Sequence, residues 1–131
     1  YVSGIGIAIY TKIKYSNLTI SSDRLFLDRP IKISIDIENL SDYDRKETIQ
    51  LYIHQETASI VQPVKRLIDF TKIAISGHSS QHVEFYINAN QLSFYDNMGR
   101  SHKESSKIHV YVGTNGVQLL EGKFDFINKM S

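Results

Sequence analysis

The stretch Ile31-Lys32-Ile33-Ser34-Ile35-Asp36-Ile37-Glu38 decides the fold, because isoleucine alternates with a polar residue at every step. Side chains of a β-strand point to opposite faces in turn, so this pattern predicts a strand with one buried and one polar face. The same period of two recurs at residues 49–53, 83–87, 108–112 and 124–126. No window of helical length has apolar residues spaced i, i+3, i+4 and i+7. The sequence therefore predicts an all-β chain.

Turn-forming residues separate these runs. Asn115-Gly116 indicates a tight hairpin because both residues tolerate a positive φ, and Gly77 lies in a second polar loop. About seven short strands at near-regular spacing predict a two-sheet sandwich of the immunoglobulin or fibronectin III type. The inward phase of the runs predicts the core, for example Ile35, Leu51, Phe85 and Val110.

The composition excludes several classes of protein. The chain has 131 residues, of which 41% are hydrophobic, and 15 Lys and Arg against 14 Asp and Glu give a formal net charge of +1. A balanced charge argues against a nucleic-acid partner, and no apolar run reaches the roughly 18–20 residues of a membrane span. The absence of cysteine excludes disulfides, thiol catalysis and thiolate metal sites. We expect one domain, and interpret residues 1–14 as an N-terminal arm or linker from a preceding domain and residues 15–131 as the sandwich.

The sequence has candidate residues for a metal site and for acid–base catalysis, but their spacing does not support either. His78 and His82 have a spacing that chelates a metal on a helix, but here they fall across a loop and a strand. Asp36 and Glu38 share the polar face of an open strand, which cannot desolvate a carboxyl group as a glycosidase requires. No nucleophile elbow and no phosphate-binding glycine loop is present. The sequence predicts no catalytic residue, no metal and no cofactor.

Aromatic residues in the outward phase are more informative. Tyr52, Tyr86 and Tyr111 occupy strand positions where a solvated sheet usually has lysine, threonine or glutamate. The third and sixth strands of an immunoglobulin-like sandwich are neighbours, which would put Tyr52 and Tyr111 on one face beside Gln50 and His109. Tyrosine is enriched at interfaces. Three interpretations stay open: a docking face for another domain, a platform on which sugar rings stack, or tyrosines covered by loops.

Five ordered segments resemble the C-terminal fibronectin III-like domain of glycoside hydrolase family 3 enzymes. They correspond to the family patterns YTxFxYSNL, EVVQLYV, RPVKELKGFKKV, DLAFYD and FTVYVG. In this chain they read YTKIKYSNL at 10–18, ETIQLYI at 47–53, QPVKRLIDFTKI at 62–73, LSFYD at 92–96 and IHVYVG at 108–113. The family glycines are replaced by Ser41, Arg45 and Ser106, and the GYGLSYT pattern has drifted at residues 6–11, which predicts different turns on the same fold.

The resemblance implies a non-catalytic accessory domain that packs on and stabilises the catalytic domains of a β-glucosidase or β-xylosidase. The family's catalytic Asp and Glu lie in the preceding domains, so the expected partners are those domains of the same polypeptide, with carbohydrate as a further candidate. The alternative is a free-standing carbohydrate-binding or cell-surface module, or a structural sandwich of a surface protein. Many family members are secreted or periplasmic, and the sequence leaves a cytoplasmic location open.

Overall fold

The computed structural model describes residues 2–3, 6–26, 29–56, 65–92, 94–95, 101–102 and 106–127. Parts of two segments that resemble the family, residues 62–64, 93 and 96, lie outside these ranges. In the described residues the regular structure is almost entirely strand, with one 3₁₀ helix at Ala89–Leu92. The strands are β1 (Val2–Ser3), β2 (Ile7–Tyr10), β3 (Ile13–Ile20), β4 (Arg24–Leu25), β5 (Ile31–Asn39), β6 (Arg45–Glu56), β7 (Arg66–Ile75), β8 (Ser80–Ile87), β9 (Phe94–Tyr95), β10 (Ser101–His102), β11 (Ser106–Thr114) and β12 (Val117–Phe126).

The strands form two main sheets. In the first, β3, β5 and β8 are neighbours in that order, and β1 and β2 both pair with β3. In the second, the order is β4-β12-β11-β6-β7, and β9 and β10 make a separate short ribbon. Within the described ranges seven strands have eight residues or more, β3, β5, β6, β7, β8, β11 and β12. The predicted all-β sandwich of about seven strands is confirmed.

One apolar core lies between the two sheets. The isoleucines of β5 supply its first-sheet side, and Ile33 and Ile35 have no exposed surface. Leu51 and Val110 supply the opposite side and are also fully buried, and Phe85 is 3% exposed. Each such side chain contributes roughly 1.5–3 kcal/mol by leaving water. The core residues that the alternation predicts are therefore confirmed.

The N-terminal segment contains a strand that the sequence did not predict. Strand β2 pairs antiparallel with β3 through a two-residue turn, Thr11-Lys12, whose φ angles are 49° and 64°. Alternation is hidden in β2 because its outward positions are also apolar: Ile7 and Ile9 are 64% and 62% exposed. The boundary after residue 14 falls inside β3, and the interpretation of residues 1–14 as an arm or linker from a preceding domain stays a prediction.

The β11–β12 hairpin has the predicted tight turn. Asn115 and Gly116 have φ angles of 51° and 77°, and Thr114 pairs with Val117 across them. Two positive φ values match the right-handed twist of the strands. Just before the turn, a Cβ atom on Gly113 would lie 1.8 Å from the carbonyl oxygen of Val117. This hairpin therefore requires glycine at position 113.

We expect Gly113→Ala to lower the free energy of unfolding by more than about 2 kcal/mol, because a methyl group would collide with backbone that cannot rotate away. The matched control is Gly116→Asn, since a Cβ at Gly116 meets open space and asparagine tolerates the left-handed conformation. Urea denaturation followed by circular dichroism measures both. A loss for Gly113→Ala no larger than for the control would contradict this close approach.

Candidate docking face

The outer face of the second sheet brings the predicted site residues together. Strands β6 and β11, the third and sixth long strands, are neighbours, and Tyr52 lies directly opposite Tyr111. In the same register Gln50 lies opposite Gly113, and His109 lies opposite His54. The predicted placement of the four side chains on one face is therefore seen in the structure. Their role in docking stays a prediction.

Strand β7 extends this face with two residues that the sequence analysis missed. Leu67 lies opposite Tyr52 and Phe70 lies opposite Gln50, and they are 45% and 53% exposed. The pairing of β6 with β7 shifts register between Leu51 and Tyr52, which leaves Ile68 as an extra residue that packs against the core. The bulge breaks the period of two, so alternation could not identify β7. We call the set Tyr52, Tyr111, Leu67, Phe70, Gln50 and His109 the aromatic face.

The two tyrosines of this face are partly covered by their own domain. The hydroxyl of Tyr52 donates to Gln50 Oε1 at 3.2 Å, and the same oxygen accepts from the backbone N–H of Gly116 at 3.0 Å. The ammonium of Lys65 lies 4.6 Å from the ring centroid of Tyr111. A sugar ring that stacked on this side of Tyr111 would have to displace that cation. The third outward tyrosine, Tyr86, lies on β8 of the other sheet and is 54% exposed.

A histidine pair lies next to the tyrosines. The rings of His54 and His109 are 5.7 Å apart between centroids and tilted by 38°. The Nε2 atom of His54 is buried and has no hydrogen-bond partner among the residues that the structure describes. No group of three or more His, Cys, Asp or Glu side chains that could hold a metal ion occurs among the described residues. The pair adds polar atoms to the aromatic face without a metal-ligand set.

The outer face of the first sheet has a different character. A shallow groove of about 440 Å³ lies over β3, β5 and β8 and is lined mainly by polar and charged side chains. Within it, His82 Nδ1 is 2.7 Å from Asp36 Oδ1, and His82 Nε2 is 3.2 Å from Glu84 Oε2. Asn17, whose φ is 56°, donates from Nδ2 to the other oxygen of Asp36 at 2.8 Å. Of the four candidates that the sequence raised for metal or acid–base chemistry, His82 and Asp36 are thus paired with each other, while Glu38 pairs with Lys14 and His78 with Asp42.

Both nitrogens of His82 face carboxylates, and this geometry favours the protonated ring. A carboxylate only accepts hydrogen bonds, so two such contacts require two N–H groups, as in the imidazolium form. The contact with Asp36 raises the pKa of His82, and the same contact lowers the pKa of Asp36. The hydrogen bond from Lys32 lowers the pKa of Glu84. These exposed groups form an ion-pair network on a solvated surface.

We expect the pKa of His82 to lie above the usual value for histidine and to fall in Asp36→Asn, because that change removes its closest carboxylate. A raised folded-state pKa contributes stability that is complete below the unfolded-state pKa and is lost as the pH rises through the folded-state value. An NMR titration of the His82 ring measures the pKa. Glu38→Gln is the control, since Glu38 pairs with Lys14 and not with His82. A His82 pKa unaffected by Asp36→Asn would contradict the pairing.

Comparison with known proteins identifies similar sequences and structures. The family model for the fibronectin type III-like domain matches residues 47–116. The chain is 28% identical over 127 residues to a periplasmic beta-glucosidase of Salmonella typhimurium, and 34% identical over 111 residues to beta-glucosidase BoGH3A of Bacteroides ovatus. A crystal structure of a beta-glucosidase from Listeria innocua superposes with a TM-score of 0.79 at 28% identity and covers 90% of this chain. The resemblance to glycoside hydrolase family 3 is confirmed.

The matched region is a small part of each relative. The alignments cover 97% and 84% of this chain but only 16% and 15% of the two bacterial enzymes, and 16% of the Listeria protein. The relatives are therefore much longer polypeptides in which this sandwich is one portion. No helix in the part of the chain that the structure describes is both long and apolar enough to cross a membrane.

Proposed function

The chain belongs to the fibronectin type III-like domain family, and on that premise we propose that it is a non-catalytic accessory domain of a glycoside hydrolase family 3-like β-glucosidase. In this proposal the aromatic face packs on the catalytic domains of the same polypeptide and stabilises them. The catalytic residues lie in those domains, outside this chain. The periplasmic Salmonella relative supports a periplasmic or secreted location.

One observation carries the proposal. Leu67 and Phe70 leave about half of their surface in water while they adjoin Tyr52 and Tyr111 on a continuous strand-to-strand face. Single exposed apolar residues are common, whereas a contiguous patch marks an interaction site. The family match at residues 47–116 spans β7, β11 and almost all of β6, the strands that build this face. The remaining five-sixths of a relative's length supplies an attached partner that could cover it.

The alternative function is a free-standing carbohydrate-binding module. Sugar platforms present open aromatic ring faces, but the ring of Tyr111 carries the Lys65 ammonium, and the hydroxyl of Tyr52 is bonded to Gln50. Protein docking needs no open ring face, since it buries the edges of these rings together with Leu67 and Phe70. The contacts on the aromatic face therefore favour docking.

We expect the double variant Tyr52→Ala with Tyr111→Ala to destabilise this domain more in the full-length polypeptide than in the isolated chain. Truncating aromatic anchors at an interface removes buried contact area that the isolated chain does not bury, so the additional loss should be about 2–4 kcal/mol. Calorimetry of both proteins measures it. Tyr86→Ala is the matched control, because Tyr86 is exposed on the other sheet and should give a small, equal loss in both contexts.

Equal losses for the double variant in the two contexts would contradict docking through this face. The carbohydrate alternative has a separate readout: the chain has eight tyrosines and no tryptophan, so saccharide binding would change tyrosine fluorescence. Titration with a panel of polysaccharides should leave the fluorescence unchanged. Saturable quenching that disappears in the double variant would support the alternative function instead.

A further inference from the structure

The charges on the outer face of the first sheet are paired with one another. Lys14 lies 3.8 Å from Glu38, and Lys32 lies 3.3 Å from Glu84. His82 completes the network by its contact with Asp36 at 2.7 Å. Each cation of this face thus has a carboxylate partner within the domain. These exposed ion pairs already satisfy the cations of this face and each contribute little to stability.

The lysines around the aromatic face differ from those of the first sheet. Lys72 lies two positions along β7 from Phe70, Lys123 lies opposite His109 on β12, and Lys65 lies over the ring of Tyr111. All three are exposed, and none forms an ion pair with any residue that the structure describes. Two carboxylates accompany these three lysines: Glu121, opposite Tyr111, and exposed Asp69, between Leu67 and Phe70 on β7.

At the end of β11 that is distant from the hairpin turn, the outer face carries charges of both signs. Lys107 lies opposite Asp125 on one side and opposite Glu56 on the other. Lys72 and Lys123 therefore lie in the rows next to those that contain Leu67, Phe70 and the two tyrosines. The exposed apolar residues Leu67 and Phe70 (the apolar centre) and the lysines Lys65, Lys72 and Lys123 (the cationic rim) therefore lie on the same part of the sheet.

This combination restricts the chemistry of whatever covers the face. Burying the apolar centre removes water from the neighbouring ammonium groups, and an ammonium that loses water without gaining an acceptor destabilises the complex. A partner with a basic rim would add repulsion, whereas carboxylates at its rim would replace the lost hydration and orient the docking. Building on the proposed function, we infer that the covering surface is an apolar patch rimmed by carboxylates on another domain of the same polypeptide.

The test reverses charge at two rim positions that form no ion pair with the residues that the structure describes. The variant Lys72→Glu with Lys123→Glu is compared with Lys14→Glu with Lys32→Glu, which changes the first sheet's face by the same charge. Each pair is made in the full-length polypeptide and in the isolated chain, and calorimetry follows the domain's unfolding midpoint at low salt and in about 0.5 M NaCl. Comparing the two contexts cancels any change of stability within the domain itself.

We expect the rim variant to lower the midpoint more in the full-length polypeptide than in the chain, with a docking equilibrium weakened roughly three- to tenfold at low salt and less in high salt. The control pair should lose equally in both contexts. If the rim variant lowers the unfolding midpoint equally in the two contexts, or stabilises the full-length polypeptide, the inferred carboxylate rim is wrong. If the tyrosine double variant still shows its additional loss, docking stands and only the rim's chemistry is wrong; if neither variant shows it, both proposals fail.

Discussion

The antiparallel pairing of β6 with β11 determines both the core and the face of this domain. In its register Ile53 lies opposite Val110 on the inner side, and Tyr52 lies opposite Tyr111 on the outer side. Because strand side chains alternate with a period of two, a slip of one residue would place the tyrosines in the core and the aliphatic residues in water. The fold and the aromatic face therefore cannot vary independently.

Several contacts at the hairpin end of the sheet fix this register. Gly113 admits the backbone of β12 at a distance that no other residue allows, and the hydroxyl of Thr114 donates to the carbonyl oxygen of Thr48 at 2.8 Å. Gln50 Oε1 accepts from both Gly116 and Tyr52. Gln50 thus joins β6 to the turn and holds one of the tyrosines of the face. Residues that stabilise the sheet are also those that position the candidate interface.

The fold was largely predictable because most strands have one solvent-exposed face and one buried face. Strand β5 shows this most clearly, with four isoleucines at 1% exposure or less. The alternation could not identify a strand whose outward residues are also apolar, or one in which a bulge interrupts the period of two. Exposed Ile7 and Ile9 hide β2, and the bulge at Ile68 hides β7. Strand β7 contains Leu67 and Phe70, the two of the six residues of the aromatic face that the sequence did not predict.

The sequence could not predict side-chain contacts that depend on how the strands pair. The proximity of Tyr52 and Tyr111 followed from the general strand order of such sandwiches. The position of Lys65 over Tyr111, and the contact of Asp36 with His82, depend on residues far apart in the chain. Single-strand alternation carries no information about such contacts, which require the register of both sheets.

If the domain docks through its aromatic face, the sheet containing β7 is covered in the full-length polypeptide, while the sheet containing β8 is not. Both strands are long and lie at the edges of their sheets in the described structure, so each is a sensitive reporter of covering. The most direct measurement is amide hydrogen exchange by mass spectrometry, on the isolated chain and on the full-length polypeptide. We expect Arg66–Ile75 to exchange more slowly in the full-length polypeptide than in the isolated chain, and Ser80–Ile87 to exchange at the same rate in both. Slowing confined to Ser80–Ile87, or no slowing in either strand, would contradict it.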